Sequence, residues 1–412
     1  MADIISNAPR LSLAERDRRW AKTRALMAEH NVDVLLVPGL RGRESYESYL
    51  SNESIQGIVV LPADRDPIYL TWSAFRIVGR TDPQNDRKYW IDDIRSGLLG
   101  PLVANALSEL GALTGRIGVV GVNSINPMEL EGFVPYAVWD HVLKAAPKAE
   151  FVELSLPFGL MVLAKGPEEL AVARHTAQIG ELMSQAILDV ARPGIRDSDL
   201  FAAIVDVGYR AGITLTPPSV IVKTGKDSVS WGPPEWGYSD EPPRTILAGD
   251  LVTCELMPTY AGIETQQQMQ VAMGKITPQQ RKLADLARAA YDIGLETIKP
   301  GISFTELNAA MAKPVLEAGC WHLSPMIHSV GPALLLGSLH GGALAHLGNE
   351  FPWFRELPPA QDGVLEEGML FSFEPNACIG RERVNIGGTV AVGANGPEEL
   401  NSLPNQLHEL DI

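Results

Sequence analysis

The chain has 412 residues, 45% of them hydrophobic, which is enough for two domains of ordinary size, each with its own core. A formal charge of −16 excludes a general affinity for nucleic acid or for an anionic membrane surface, since both would repel it. Cys254, Cys320 and Cys378 are too few and too scattered for a disulfide framework or a zinc ribbon, which fits a reducing compartment.

Met1-Ala2-Asp3-Ile4-Ile5-Ser6 lacks a basic region followed by an apolar run, and no later segment approaches the length of a membrane span, so a cytoplasmic protein is expected. Ser12-Leu13-Ala14-Glu15 has the form of a capping box. The helix it opens carries Leu13, Trp20 and Met27 on one stripe and stops near Asn31. Val32 to Val37 then reads as a buried strand, and Gly57 to Leu61 and Pro67 to Thr71 as two more. A helix over Pro101 to Leu110 and a strand over Ile117 to Val120 complete an α/β alternation. Leu154-Ser155-Leu156-Pro157-Phe158-Gly159 supplies the turn residues of a linker.

Pro167 suits the first turn of a helix, with Glu168 and Glu169 where the helix dipole favours negative charge, and the amphipathic run continues to Ala191. A turn at Arg192-Pro193-Gly194 leads to another helix near Ser198. The same order of residues returns 107 positions later: Pro193-Gly194-Ile195 matches Pro300-Gly301-Ile302, and Ala211-Gly212 matches Ala318-Gly319. This is an internal repeat of helix, Pro-Gly turn, helix and strand. Late in each half comes a strand opened by Gly and reaching a carboxylate: Gly249 to Glu255, ended by Pro258, and Gly368 to Glu374, ended by Pro375. If the halves face each other, Glu255 and Glu374 meet around one cleft, where buried carboxylates need partners.

Four segments carry a family resemblance: the Gly249-Asp250 strand, Ile327-His328-Ser329-Val330-Gly331, the Gly368 to Pro375 strand, and Val384-Asn385-Ile386-Gly387-Gly388-Thr389-Val390. Together they resemble the pita-bread family of creatinase, prolidase and aminopeptidase P. The resemblance implies an N-terminal α/β domain over 1–159 and an α+β pita-bread domain over 160–412 with an internal pseudo-two-fold repeat. The metal-dependent members bind two divalent ions through two Asp, one His and two Glu. Here Glu255 stands where the first Asp belongs and Gln266 near the second. His328 and Glu374 match the His and the first Glu, and Gly387 lies where the second Glu should be. Gln lacks the bridging charge and Gly offers no side chain, so a two-metal centre is dismantled, and no metal or other cofactor is expected. Glu255, His328 and Glu374 remain a set that could hold one ion.

Loss of metal ligands with retention of this His and Glu resembles the creatinase branch, which opens a carbon–nitrogen bond with protein groups. The catalytic His of that branch has no counterpart before the Gly-Asp strand, where Tyr238 stands, and Gln268 holds the place of its following Glu. His328, Glu374 and Glu255 are thus the expected proton-handling residues. Trp231, Trp236 and Tyr238, clustered with Gly and Pro, are expected to wall the pocket with Gln266, Gln268 and one of His340 and His346, with His340 preferred. The implied partners are a small-molecule substrate and a second copy of the chain. Three readings follow: a metal-independent hydrolase of a carbon–nitrogen bond, a single-metal peptidase or lyase, and a non-catalytic binding module.

Overall fold

The computed structural model describes residues 2–40, 46–53, 55–85, 87–123, 132–215, 219–225, 229, 231–332, 334–337 and 362–411. The chain forms two compact units, one over Leu11–Val162 and one that joins Met1–Arg10 to Leu163–Ile412. Among the described residues, no helix is long and apolar enough to cross a membrane.

In the first unit Ser12 Oγ accepts from the Glu15 N–H and starts the helix Leu13–Glu29, and Asn31 beyond its end takes the left-handed conformation (φ 52°). The strands are β1 (Val34–Gly39), β2 (Gly57–Pro62), β3 (Ile68–Thr71), β4 (Asp93–Ser96), β5 (Arg116–Val119) and β6 (Glu150–Glu153). They form one mixed sheet in the order β4-β3-β2-β1-β5-β6. Alternate residues of β1 feed two cores: Leu35 and Val37 pack with Trp20 and Met27, while Val34 and Leu36 pack with Val103 and Leu107. Leu154 to Gly159 departs from expectation. It lies in a helix, Ser155–Leu163, rather than a linker, because Pro157 falls in the first turn, where proline is tolerated, and Phe158, Val162 and Leu163 are buried.

The second unit realises the duplication residue by residue. Helices Pro167–Val190 and Asp197–Arg210 recur as Pro278–Thr297 and Phe304–Glu317, each bound displaced by 107 except the first. Gly194 and Gly301 have φ of 95° and 93°, the left-handed turn that both copies need and that glycine adopts without strain. Each glycine N–H donates to the segment before the Gly-opened strand, Gly194 to the Ile246 carbonyl (2.9 Å) and Gly301 to that of Leu365 (2.8 Å).

The strands of this unit are β7 (Val220–Gly225), β8 (Leu251–Leu256), β9 (Thr259–Tyr260), β10 (Ile263–Glu264), β11 (Gln267–Met273), β12 (Ile327–Ser329), β13 (Leu370–Phe373), β14 (Asn376–Ile379), β15 (Glu382–Asn385), β16 (Gly387–Gly393), β17 (Gly396–Glu399) and β18 (Leu407–Leu410). The main sheet runs β12-β13-β16-β11-β8-β7, with β17 on β16 and β18 on β11. That order is symmetric about the β16–β11 pair. From the Gly-opened strands onward the two copies are displaced by 119, as Gly249 is from Gly368. The small hairpins β9–β10 and β14–β15 are therefore counterparts, and Gln268 is the counterpart of Gly387, with which it pairs across the centre.

Period two separates the faces of this sheet. Val252, Cys254, Leu256, Met269 and Val271 turn to the helices and pack with Ile179, Met183, Ile187, Leu200 and Ile204. Thr253, Glu255, Gln268 and Gln270, of the other parity, line the opposite, polar face.

The Asp of the Gly-Asp motif works structurally. Buried Asp250 accepts from Arg244 Nη1 (2.6 Å) and Nη2 (3.1 Å) and from the Leu247 N–H (2.8 Å). Arg244→Ala strands this carboxylate, and because Arg244 is partly exposed the expected loss is about 2 kcal/mol, below that for a fully buried pair. An unchanged urea midpoint would show that Asp250 needs no such partner.

Candidate active site

His328 lies in the middle of β12, opposite Ser372 of β13, and Glu374 follows β13 directly, held by its N–H donating to the Met326 carbonyl at 2.9 Å. Both side chains are buried, and His328 Nε2 stands 2.6 Å from Glu374 Oε1. Gln266 Oε1 is 3.2 Å from the same nitrogen. Gln266 Nε2 donates to Glu264 Oε1 at 2.9 Å, which fixes the amide so that its oxygen faces the imidazole. His328 Nδ1 faces the Ser329 carbonyl at 2.8 Å. These three partners accept hydrogen bonds. An imidazolium beside an ionised Glu374 satisfies them all, whereas a neutral ring leaves one acceptor facing a lone pair.

The backbone beneath this cluster is clamped twice, by counterpart residues. The Gln266 N–H donates to Thr389 Oγ1 at 2.7 Å, and the Asn385 N–H donates to Gln270 Oε1 at 2.8 Å. Asn385 Nδ2 also donates to Gln268 Oε1 at 3.0 Å, and Gln268 pairs with Glu255 on the next strand. Glu255 itself is buried and accepts from the Trp231 indole N–H at 2.5 Å. Trp231 is 51% exposed, so the indole reaches from the surface to a carboxylate on the polar face.

The structure thus gathers His328, Glu374 and Gln266 into one cluster, and pairs Glu255 with Trp231. Gln268 lies beside Glu255, and Trp236 and Tyr238 lie on the segment before β8. Trp236 lies in the 3-10 turn Glu235–Gly237 and packs edge-on against Phe201, ring centroids 5.5 Å apart, so its ring serves helix packing. Tyr238 caps that turn and is 70% exposed. His340 and His346 lie outside the described residues. Sequence reasoning missed Glu264, which orients Gln266, and Arg383, buried two residues before Asn385 on β15. Its signal is parity, since Arg383 and Asn385 share one face of the strand that leads to Gly387. The cysteines offer no nucleophile from Cys254 or Cys378: burial pushes the first thiol well above its usual range and the second to about 12.

Residues 171–394, more than half the chain, match the model of metallopeptidase family M24. The chain belongs to metallopeptidase family M24. A similar M24 relative is an Xaa-Pro dipeptidase of Lactobacillus delbrueckii subsp. lactis, 27% identical over 218 residues, 53% of this chain and 54% of that protein. The chain thus spans about half the length of that dipeptidase. A creatinase of Bacillus sp. (strain B-0618) is 23% identical over 412 aligned positions, covering 96% of this chain and 92% of that one. Among solved structures, an Xaa-Pro dipeptidase from Bacillus anthracis superposes with a TM-score of 0.72 at 21% identity, over 96% of this chain and 100% of that chain. At that identity the likeness shows the fold, which is the pita-bread fold with its N-terminal α/β region.

The M24 name implies metal, and the described residues do not fit a two-ion centre. Gln266 presents a neutral carbonyl already directed at His328. Gly387 has φ 147°, and a Cβ there would overlap the Phe373 carbonyl oxygen, so this backbone has no room for a carboxylate. Among the described residues, no three His, Cys, Asp or Glu side chains converge as a divalent cation requires.

Proposed function

We propose that this M24 protein is a metal-independent hydrolase that opens a carbon–nitrogen bond of a small polar molecule and works as a homodimer. The observation that carries the reading is the 2.6 Å contact between His328 Nε2 and Glu374 Oε1, flanked by a Gln266 amide and by Gly387 where side-chain ligands would be needed. Similarity to a creatinase over nearly the full length of both chains supports it.

In this mechanism Glu374 takes a proton from the attacking water as the oxygen–carbon bond forms. His328 gives its Nε2 proton to the leaving nitrogen as the carbon–nitrogen bond breaks. The proton held by Glu374 then returns to His328 across their contact, restoring both groups. Gln266, fixed by Glu264, keeps the imidazole aligned through the cycle. Glu255 and Trp231 hold the substrate, with the indole N–H fixing the carboxylate in place.

Trp231→Phe keeps the ring and removes the donor. A hydrogen bond to a charged group contributes about 1.5–3 kcal/mol, so a rise of about tenfold in KM is expected, with kcat little changed. A fall in kcat at constant KM would instead place Trp231 in the chemistry.

The test of the reading joins elemental analysis to a substrate panel. Purified protein is expected to carry no stoichiometric transition metal and to hydrolyse small amides, amidines or ureas at a rate indifferent to chelators. Metal near two ions per chain, with Xaa-Pro dipeptides cleaved and activity lost to chelation, overturns it in favour of a peptidase like the Lactobacillus relative. Sedimentation showing an active monomer would remove the dimer.

A further inference from the structure

Arg383 is 5% exposed, and a guanidinium cannot shed its charge to relieve burial as a lysine can. Its place is fixed by backbone contacts on two sides. Its carbonyl accepts from Gln270 Nε2 at 3.1 Å, and that nitrogen also donates to Thr253 Oγ1 at 2.8 Å, two residues from Glu255 on the same face of β8. On the other side of the hairpin Asn376 pairs with Asn385 and donates from Nδ2 to the Glu374 carbonyl at 3.0 Å. The β14–β15 hairpin is therefore tied both to the strand of Glu255 and to Glu374. Burial draws the Arg383 pKa below its ordinary value, and the fields of Cys378, Glu374 and Glu255 oppose that fall.

Two carboxylates buried on one polar face repel each other and must be balanced. We propose that Arg383 is the resident counter-charge of the cleft, a positioning residue whose guanidinium keeps Glu255 and Glu374 together as ions with His328. With an imidazolium at His328 it offsets the charges of Glu255 and Glu374. The stability of the fold then depends on Arg383 through its charge.

The experiment is a double-mutant cycle on the full-length protein, read by thermal unfolding, so it stands or falls separately from the hydrolase reading. Arg383→Met, which keeps much of the packing volume, is expected to lower Tm by about 10 °C, because it strands buried carboxylates. Adding Glu255→Gln to Arg383→Met should recover about half of that loss, although Glu255→Gln alone gains nothing. This coupling of opposite sign is what charge predicts and packing does not. Arg383→Lys should retain more stability than Arg383→Met. A double variant no more stable or soluble than Arg383→Met alone would overturn the proposal, as would Arg383→Met melting with the parent protein.

Discussion

His328→Ala and Glu374→Gln are each expected to lower kcat/KM by ~10²–10⁴-fold, the range of general acid and base catalysis, and the double variant is expected to be little worse than either. The non-additivity follows from geometry. The carboxylate and the imidazole share one 2.6 Å contact, through which the proposed mechanism returns the proton, so removing either end disables the other. Gln is nearly isosteric with Glu and its amide oxygen can still accept from the ring, so Glu374→Gln should unfold near the temperature of the parent. Full activity in folded Glu374→Gln would show that the carboxylate binds or orients and does not transfer a proton. Losses that multiply in the double variant would show that the two residues act in separate steps.

Gly387→Glu restores on paper the carboxylate that the resemblance to a two-metal site implies there, yet it is expected to destroy the fold's stability and bind no metal. At φ 147° any side chain is strained by about 1–3 kcal/mol, and the overlap with the Phe373 carbonyl adds about 1–3 kcal/mol more. Gly387→Ala, with the smallest side chain, should already lose about 3–5 kcal/mol by urea unfolding. A Gly387→Glu protein that melts with the parent and takes up manganese would show that β16 relaxes freely and that the site is one substitution from a metal centre.

How much of this is legible in the sequence depends on the range of the interaction. The duplication is legible because both copies need a left-handed glycine at the same turn, Gly194 and Gly301, and a glycine to open the strand, Gly249 and Gly368. Glu374 and His328 are legible because their motifs fix strand position and parity, and the sheet then does the rest. Trp236 is not, since a Gly- and Pro-rich segment says that its rings lie on a loop and says nothing about Phe201 waiting on a distant helix. Arg383 reads as one more charge in Arg381-Glu382-Arg383, because the hairpin that buries it is decided by tertiary pairing. Ser155–Leu163 reads as a turn because Pro and Gly are breakers in isolation, and burial of Phe158 and Leu163 overrides them.

The hairpins β9–β10 and β14–β15 occupy matching places, and at the same register point one carries Glu264 and the other Arg383. One half of a duplicated frame thus ends in a carboxylate that steadies an amide, and its mirror half ends in a buried guanidinium. Pairing of Gln268 with Gly387 across the centre repeats the contrast in bulk, a long amide against no side chain. The two halves therefore differ in both charge and bulk, and under the proposed function a small polar substrate with unlike ends is expected to lie before His328 in one orientation.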